Sequence, residues 1–317
     1  MTATKVAPVA THRARKPPPA RRPGSRVRDA KLLHFGAFGL PSLALYAGFV
    51  LIPIGMAAAY SLTNRNLLNP PTRWVGLHNY ATLVQDSAFW RVLLNTFVIT
   101  VIVTVGANAI GLAVAVMLDR RGWLYNTLRS VYFVPVVLSG VVVSVIWQAI
   151  LTDDGLLNAT LRRLGVEHPP GWLSDPSIAL YTLSGIVTWQ MVGFCVVVYL
   201  AGLQAVPSEL QEAAAVDGAG PVQRFCSITW PLLAPSLTIN TVMLLISTFK
   251  IYDHVQVITN GGPGDGTTST IAFDVIQTGL AGNRSGYASA VAVVMLVVVA
   301  CASILVLNVL QRRELSA

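Results

Sequence analysis

The sequence predicts an all-α, polytopic membrane protein with six transmembrane helices and both termini in the cytoplasm. Three observations predict it. The 317-residue chain is 54% hydrophobic and only 11% charged, where a soluble domain carries about 25% charged residues. Mean hydropathy is +0.61. Six segments reach the length of about 20 apolar residues that a helix needs to cross the hydrocarbon, and Lys and Arg gather on one side once those segments are laid in order.

Residues 1–31 form the first element, a basic cytoplasmic tail expected to be disordered, and 32–317 a single transmembrane domain. Nine of the 22 Lys and Arg precede Leu32, in a stretch rich in Pro and Ala ("RARKPPPARRPGSRVR"). Such a composition cannot bury enough apolar surface to fold. The net charge of +8 is therefore largely a property of this tail. It reads as a topological signal toward membrane lipid and no nucleic-acid partner is expected.

The six spans run over Phe35–Leu62, Val92–Leu118, Leu128–Leu151, Ile178–Leu203, Leu233–Ile258 and Tyr287–Leu310. The first is not read as a cleaved signal, because its basic region is too long and its apolar run continues too far. With the N-terminus inside, the cytoplasmic segments hold fifteen cations, among them Arg120, Arg121, Arg129, Arg224, Arg312 and Arg313. The opposite face holds six: Arg65, Arg73, Arg91, Arg162, Arg163 and Arg284. The external connections carry turn residues and aromatics, with Trp74 and Trp172 suited to the interfacial belt.

Between the fourth and fifth spans lies a short polar interruption at about 205–235, containing "EAAAVDGAG". Ser208 and Gln211 have the spacing of a capping box, and Glu209 and Glu212 lie where a helix dipole favours negative charge. Ala213, Ala214 and Ala215 favour helix. Gly218 suits a left-handed cap and Pro221 the start of a second helix. The pattern predicts helix, glycine turn, helix on the cytoplasmic face. Two readings remain open from these residues: a docking helix whose small side chains admit a partner's backbone, or an amphipathic turn resting on headgroups.

The longer stretch "EAAAVDGAGPVQRFCSITWPLLAP" resembles the EAA signature of bacterial ABC importer permeases, E-A-A-x-x-x-G-x9-I-x-L-P. Glu212, Ala213, Ala214, Gly218, Ile228 and Pro231 match in register, and Asp217, Ala219 and Phe225 match the carbohydrate-importer variant. Trp230 stands where the signature has Leu. The resemblance covers about residues 35–310 and includes "WVGLHNY", "FVPVVLSGVVVSVIWQ", "AGLQAVPSELQEAA" and "ITNGGPGDGTT".

That resemblance implies a type I ABC importer-like fold and a permease subunit that does no covalent chemistry. It implies a dimer of ATP-binding subunits, a second homologous permease and an extracytoplasmic solute-binding protein as partners, in a bacterial inner membrane. The expected cargo is a carbohydrate or a glycerophosphate-type solute. No cofactor is expected on this chain, with ATP and Mg held by the partner ATPase. Glu212, Ala213, Ala214, Asp217, Gly218, Ile228 and Pro231 become the coupling residues. Gln190, Phe194, Ser247 and Thr248, in the spans flanking the loop, become candidates for the substrate path. Each also has a reading as helix-packing residue.

Other patterns carry less. Gly261 to Gly266 has phosphate-loop spacing, but Thr267 stands where the loop needs Lys. Lys250 and Asp253 lie three residues apart, as on one helical face within a span, where charge is costly. Cys195, Cys226 and Cys301 show no metal or disulfide spacing, and no metal site is expected. A membrane-bound enzyme would need a polar constellation, and the five His are scattered. A self-contained secondary transporter or channel is the alternative, and it calls for paired repeats with broken helices.

Overall fold

The structure is a computed structural model that describes residues 39–314 except Leu67 and Pro70. The basic tail and the start of the first expected span lie outside the described residues. Within them the chain is helical, with one isolated antiparallel bridge, Thr63 to Trp74.

Five helices are long and apolar enough to cross a membrane, and a bent pair makes a sixth span if counted as one. The first, α1, is Leu40–Ser61 and contains a π-helical segment at Ala47–Leu51. A short α2 (His78–Gln85) precedes α3 (Ser87–Leu118), which Asp86 caps by accepting from the Ala88 amide. After the turn at 119–122 come α4 (Trp123–Val137), α5 (Gly140–Leu151) and α6 (Leu156–Arg163). The long α7 (Ala179–Ala205) leads into α8 (Ser208–Val216). The bent pair follows as α9 (Pro221–Leu232) and α10 (Ala234–Phe249), at 60° to one another. A glycine-rich loop, α11 (Ile271–Ala281) and α12 (Ser285–Glu314) complete the chain.

Two of the expected spans are corrected. Leu128–Leu151 is not one helix: the chain is extended at Leu138 and restarts at Gly140. Pro135 lacks an amide to donate to the preceding turn, and Ser139 caps α5 by accepting from the Val142 amide at 3.3 Å. The apolar window of the third span runs from Gly140 to Arg163 instead. Leu233–Ile258 stops being α-helical at Phe249, with Lys250 as its cap, and winds again only as a π turn at Val255–Thr259. Lys250 and Asp253 therefore do not share a helical face, and neither is in an ion pair among the described residues. Trp172 is half-buried against the core, and its indole donates to Asn158 at 2.9 Å.

The core is centred on α7, of which 56% of the apolar window is buried within the chain, against 11% for α12. Ile99, Val103 and Ala107 of α3 meet Leu183, Val187, Cys195 and Val196 of α7. Leu244 of α10 and Val143 of α5 close the same cluster. Lipid offers no hydrophobic drive for helices to associate, so close approach between small residues must supply it. Gly111 lies against Cys195, Gly193 against the Tyr132 carbonyl of α4, and Gly202 against Ser236 of α10. Several hydroxyls within the spans are satisfied by their own helices, as Thr96, Thr100, Ser144 and Thr188 donate to carbonyls four residues back.

Gly193 offers a test of this packing. A Cβ there would collide with the Tyr132 backbone, which cannot rotate away. Gly193→Val is expected to destabilise the bundle by about 1–3 kcal/mol, read as a lowered thermal midpoint of detergent-solubilised protein. Gly185→Val, at a position open on all sides, is expected to leave the midpoint near that of the wild type.

Candidate functional site

At one end of α7 the chain turns at Val206 and Pro207 into α8. Pro207, not Ser208, occupies the cap position, and no side chain caps the helix. The expected capping box is thus absent. Gln211 turns away from its own helix start and donates to the Thr229 hydroxyl at 2.8 Å, tying α8 to α9. The end of α8 is as the sequence predicts. Gly218 adopts φ +82°, its amide donates to Ala215, and the Ala219 amide reaches Ala214 at 2.9 Å. This is the Schellman pair of bonds. Pro221 then takes the first position of α9.

The resulting unit exposes what a solitary loop would cover. Glu212, Ala213 and Asp217 are exposed, and Ala214 is half-buried. Val216 and Val222, on the two sides of the turn, are 88% and 77% exposed. Ile228 and Pro231 are half-buried on α9, as residues that seat the unit on the bundle. Glu212 lines a groove of about 680 Å³ with Gln211, Arg224, Phe225 and Asp119.

A second cavity, of about 330 Å³, opens where α4 and α5 part. Gln190 of α7 donates from Nε2 to the Leu138 carbonyl at 3.1 Å, and its Oε1 lies 2.7 Å from Nε2 of His254. With the amide in this orientation the imidazole Nε2 carries the proton. Ser247, Thr248, Lys250 and Asp253 line the same space. Three of the four path candidates, Gln190, Ser247 and Thr248, are thereby brought together. Phe194 does not line this cavity and packs against the core. The Thr248 hydroxyl is buried and donates to Leu244 at 2.8 Å, whereas Ser247 is exposed. The aromatics Trp147 and Trp189 meet each other edge to face at 5.4 Å.

Sequence reasoning missed His254 and the Leu138 carbonyl, although Pro135 followed by Ser139-Gly140 was a signal for the break. It also missed how the glycine-rich loop is held. Arg91 donates to the Asp265 carbonyl at 2.8 Å, and Asn95 to those of Gly266 and Ser269 at 3.2 Å each. Four glycines of that loop, Gly261, Gly262, Gly264 and Gly266, have positive φ, which explains their residue type.

A bundle of membrane-crossing helices that encloses a polar cavity and projects a helix–turn–helix from one end defines a multi-pass transport permease. The chain belongs to the family of binding-protein-dependent transport system inner membrane components, whose model matches residues 107–315. It is similar to the probable starch degradation products transport system permease protein AmyD of Thermoanaerobacterium thermosulfurigenes, at 32% identity over 277 residues, 87% of this chain and 94% of that one. It is also similar to the trehalose/maltose transport system permease protein MalF of Thermococcus litoralis, at 31% identity over 287 residues, 90% and 95% of the two chains. Among solved structures, a bacterial alginate ABC transporter in complex with an alginate pentasaccharide-bound periplasmic protein has the same fold. The TM-score is 0.77 at 21% identity, with 91% of this chain and 96% of that one covered.

The turn geometry yields a paired prediction. Gly218 and Gly220 both stand in open space, but only Gly218 has positive φ. Gly218→Val is expected to cost about 1–2 kcal/mol locally and to speed amide exchange at residues 218 and 219. Gly220→Ala is expected to leave that exchange unchanged.

Proposed function

We propose that this permease subunit translocates a carbohydrate or a related glycerophosphate-type solute, and that α8 is the helix through which a separate ATPase drives it. The observation that carries the proposal is the α8–α9 unit, a capped turn that presents Val216, Val222 and Glu212 outward, with Glu212 in no ion pair among the described residues. Helix-in-groove recognition requires such a face, with small residues admitting the partner and a charge fixing register. Ala213 and Ala214 permit the close approach, Glu212 is the charged anchor, and Gly218 sets the turn. Asp217 lies beside that turn. Ile228 and Pro231 hold the unit against the spans.

The cargo assignment is supported by the relatives, whose names specify starch products and trehalose or maltose, and by the cavity chemistry. Gln190 and Ser247 supply amide and hydroxyl groups of the kind that pair with sugar hydroxyls. Phe194 and Thr248 line or support the same helices. A second homologous permease completes the path, and a solute-binding protein delivers the cargo from outside. The ATPase dimer holds ATP and Mg, and this chain supplies no catalytic group. The excess of cations on one side supports a cytoplasmic position for α8 and both termini in a bacterial inner-membrane protein.

Two variants test the reading. Glu212→Lys reverses the anchoring charge and is expected to weaken ATPase co-purification and lower uptake by more than roughly tenfold, from a loss of about 2 kcal/mol at the interface. Membrane insertion should be unaffected. Uptake and co-purification at wild-type levels would overturn the docking role. Ser247→Trp fills the cavity instead. It is expected to abolish uptake while the complex with the ATPase still forms, and loss of that complex would count against a cavity-specific role.

A further inference from the structure

The connection between α3 and α4 has features that span-linking does not require. The chain turns at Asp119, Arg120, Arg121 and Gly122, and Gly122 (φ +141°) occupies the cap position of α4 with no side chain to offer. The first helical bond runs from the Asn126 amide to Gly122 at 3.2 Å. The preceding amides at the start of this fifteen-residue helix are capped by no side chain. Such an end favours an anion.

The turn is also braced from beneath. Arg129 donates from Nη2 to the carbonyls of Leu118 at 2.7 Å and Arg120 at 3.1 Å, so one guanidinium is spent on the backbone. That strut leaves Arg120 and Arg121 projecting. Arg121 is exposed, and Arg120 makes a long contact of 3.4 Å to the Tyr125 hydroxyl. Together these residues, with Asn126 and the last turn of α7, line a polar cavity of about 630 Å³. Three guanidinium groups face one carboxylate, Asp119.

The surroundings of the cavity decide what kind of anion fits. Trp123 is 80% exposed, and Met117 and Leu124 beside it are also exposed. A water-facing loop has no reason to display that collar, whereas a tryptophan at headgroup depth is in its preferred environment. Basic pockets bounded by transmembrane helices are suited to phosphate headgroups, and Arg grips phosphate through paired N–H groups.

We propose that the Asp119–Gly122 turn and the start of α4 form a binding site for the phosphodiester headgroup of an anionic lipid, gripped by Arg120 and Arg121 and held in shape by Arg129. The site rests on the membrane placement that the family establishes, not on the proposed cargo or ATPase. Asp119, Leu203 and Val206 also line the groove beside α8, so a bound lipid sits directly against the base of the docking unit.

The test is lipid retention by the full chain in detergent, measured by native mass spectrometry with dioleoyl phosphatidylglycerol and, separately, dioleoyl phosphatidylcholine. Retention of phosphatidylglycerol over phosphatidylcholine is expected. The Arg120→Gln/Arg121→Gln double variant, which leaves the Arg129 strut in place, is expected to lower it roughly tenfold. Arg162→Gln/Arg163→Gln, in a different loop, should leave it unchanged. Equal retention of the two lipids, or wild-type retention by the first double variant, overturns the proposal. Displacement of phosphatidylglycerol by inorganic phosphate would reassign the site to a free anion and overturn the lipid. If the first double variant instead lost ATPase co-purification with lipid retention intact, the patch would belong to a protein interface and the proposal would fail.

Discussion

The carbonyl of Leu138 is the constraint on which the interior depends. Inside a bilayer a backbone group without a partner costs several kcal/mol, and the break between α4 and α5 exposes one. Gln190 takes it, and in doing so its amide can point only one way, with Oε1 toward His254. One side chain on α7 thereby bonds both to the break between α4 and α5 and to the loop that follows α10. The cavity between them exists because the break is tolerated, and the break is tolerated because the amide is there. Gly140 serves the same junction, since a Cβ at that position would press on the His254 ring and on Asp253.

Around this junction the helices are joined by fit more than by greasiness. The long spans α3, α7 and α12 have no apolar face set against a polar one, so hydrophobicity does not decide which of their faces meet. Small residues decide it. Gly111, Gly193 and Gly202 bring α7 into near-backbone contact with or close beside α3, α4 and α10 in turn, which makes α7 the most enclosed helix in the chain. Polar cross-links accompany that contact, among them the Tyr199 hydroxyl donating to Asn108 at 2.7 Å. By contrast only 11% of the apolar window of α12 is buried within the described chain, in the manner of a helix whose neighbours are lipid or another subunit.

Much of this was legible in the sequence, and the failures have physical causes. Apolar run length located the spans, since bilayer thickness is a requirement that composition must meet. The Gly218 turn was legible because a left-handed cap demands a residue without Cβ. The capping box at Ser208 was not, because Pro207 already fixes the entry to α8 and a tertiary partner, Thr229, outbids the local one for Gln211. Hydropathy could not reveal the interruptions at Leu138 and after Phe249, because Leu, Val and Ile are equally apolar in a helix and in an extended link. Lys250 and Asp253 looked like a helical pair only on the premise that the helix continued. Nor could spacing show that Ser247 faces a cavity while its neighbour Thr248 satisfies its own helix, for that depends on which backbone lies across from each.

The connectivity joins the α8–α9 unit directly to the walls of the cavity. From Gln190 to Ala205, α7 is uninterrupted helix, about 22 Å at 1.5 Å per residue, and it passes into α8 through two residues. On the other side α9 leads into α10, which carries Ser247 and Thr248 to the opposite wall. Both legs of the α8–α9 unit are thus the ends of helices that wall the cavity, and the Gln211–Thr229 bond ties the legs together at their base. A load applied at α8 is transmitted by rigid helix along the first leg. Along the second it meets the 60° bend between α9 and α10, where rotation is less costly than anywhere within a straight span. The two walls consequently respond unequally to one displacement, and unequal movement of its walls is what opens or closes a cavity.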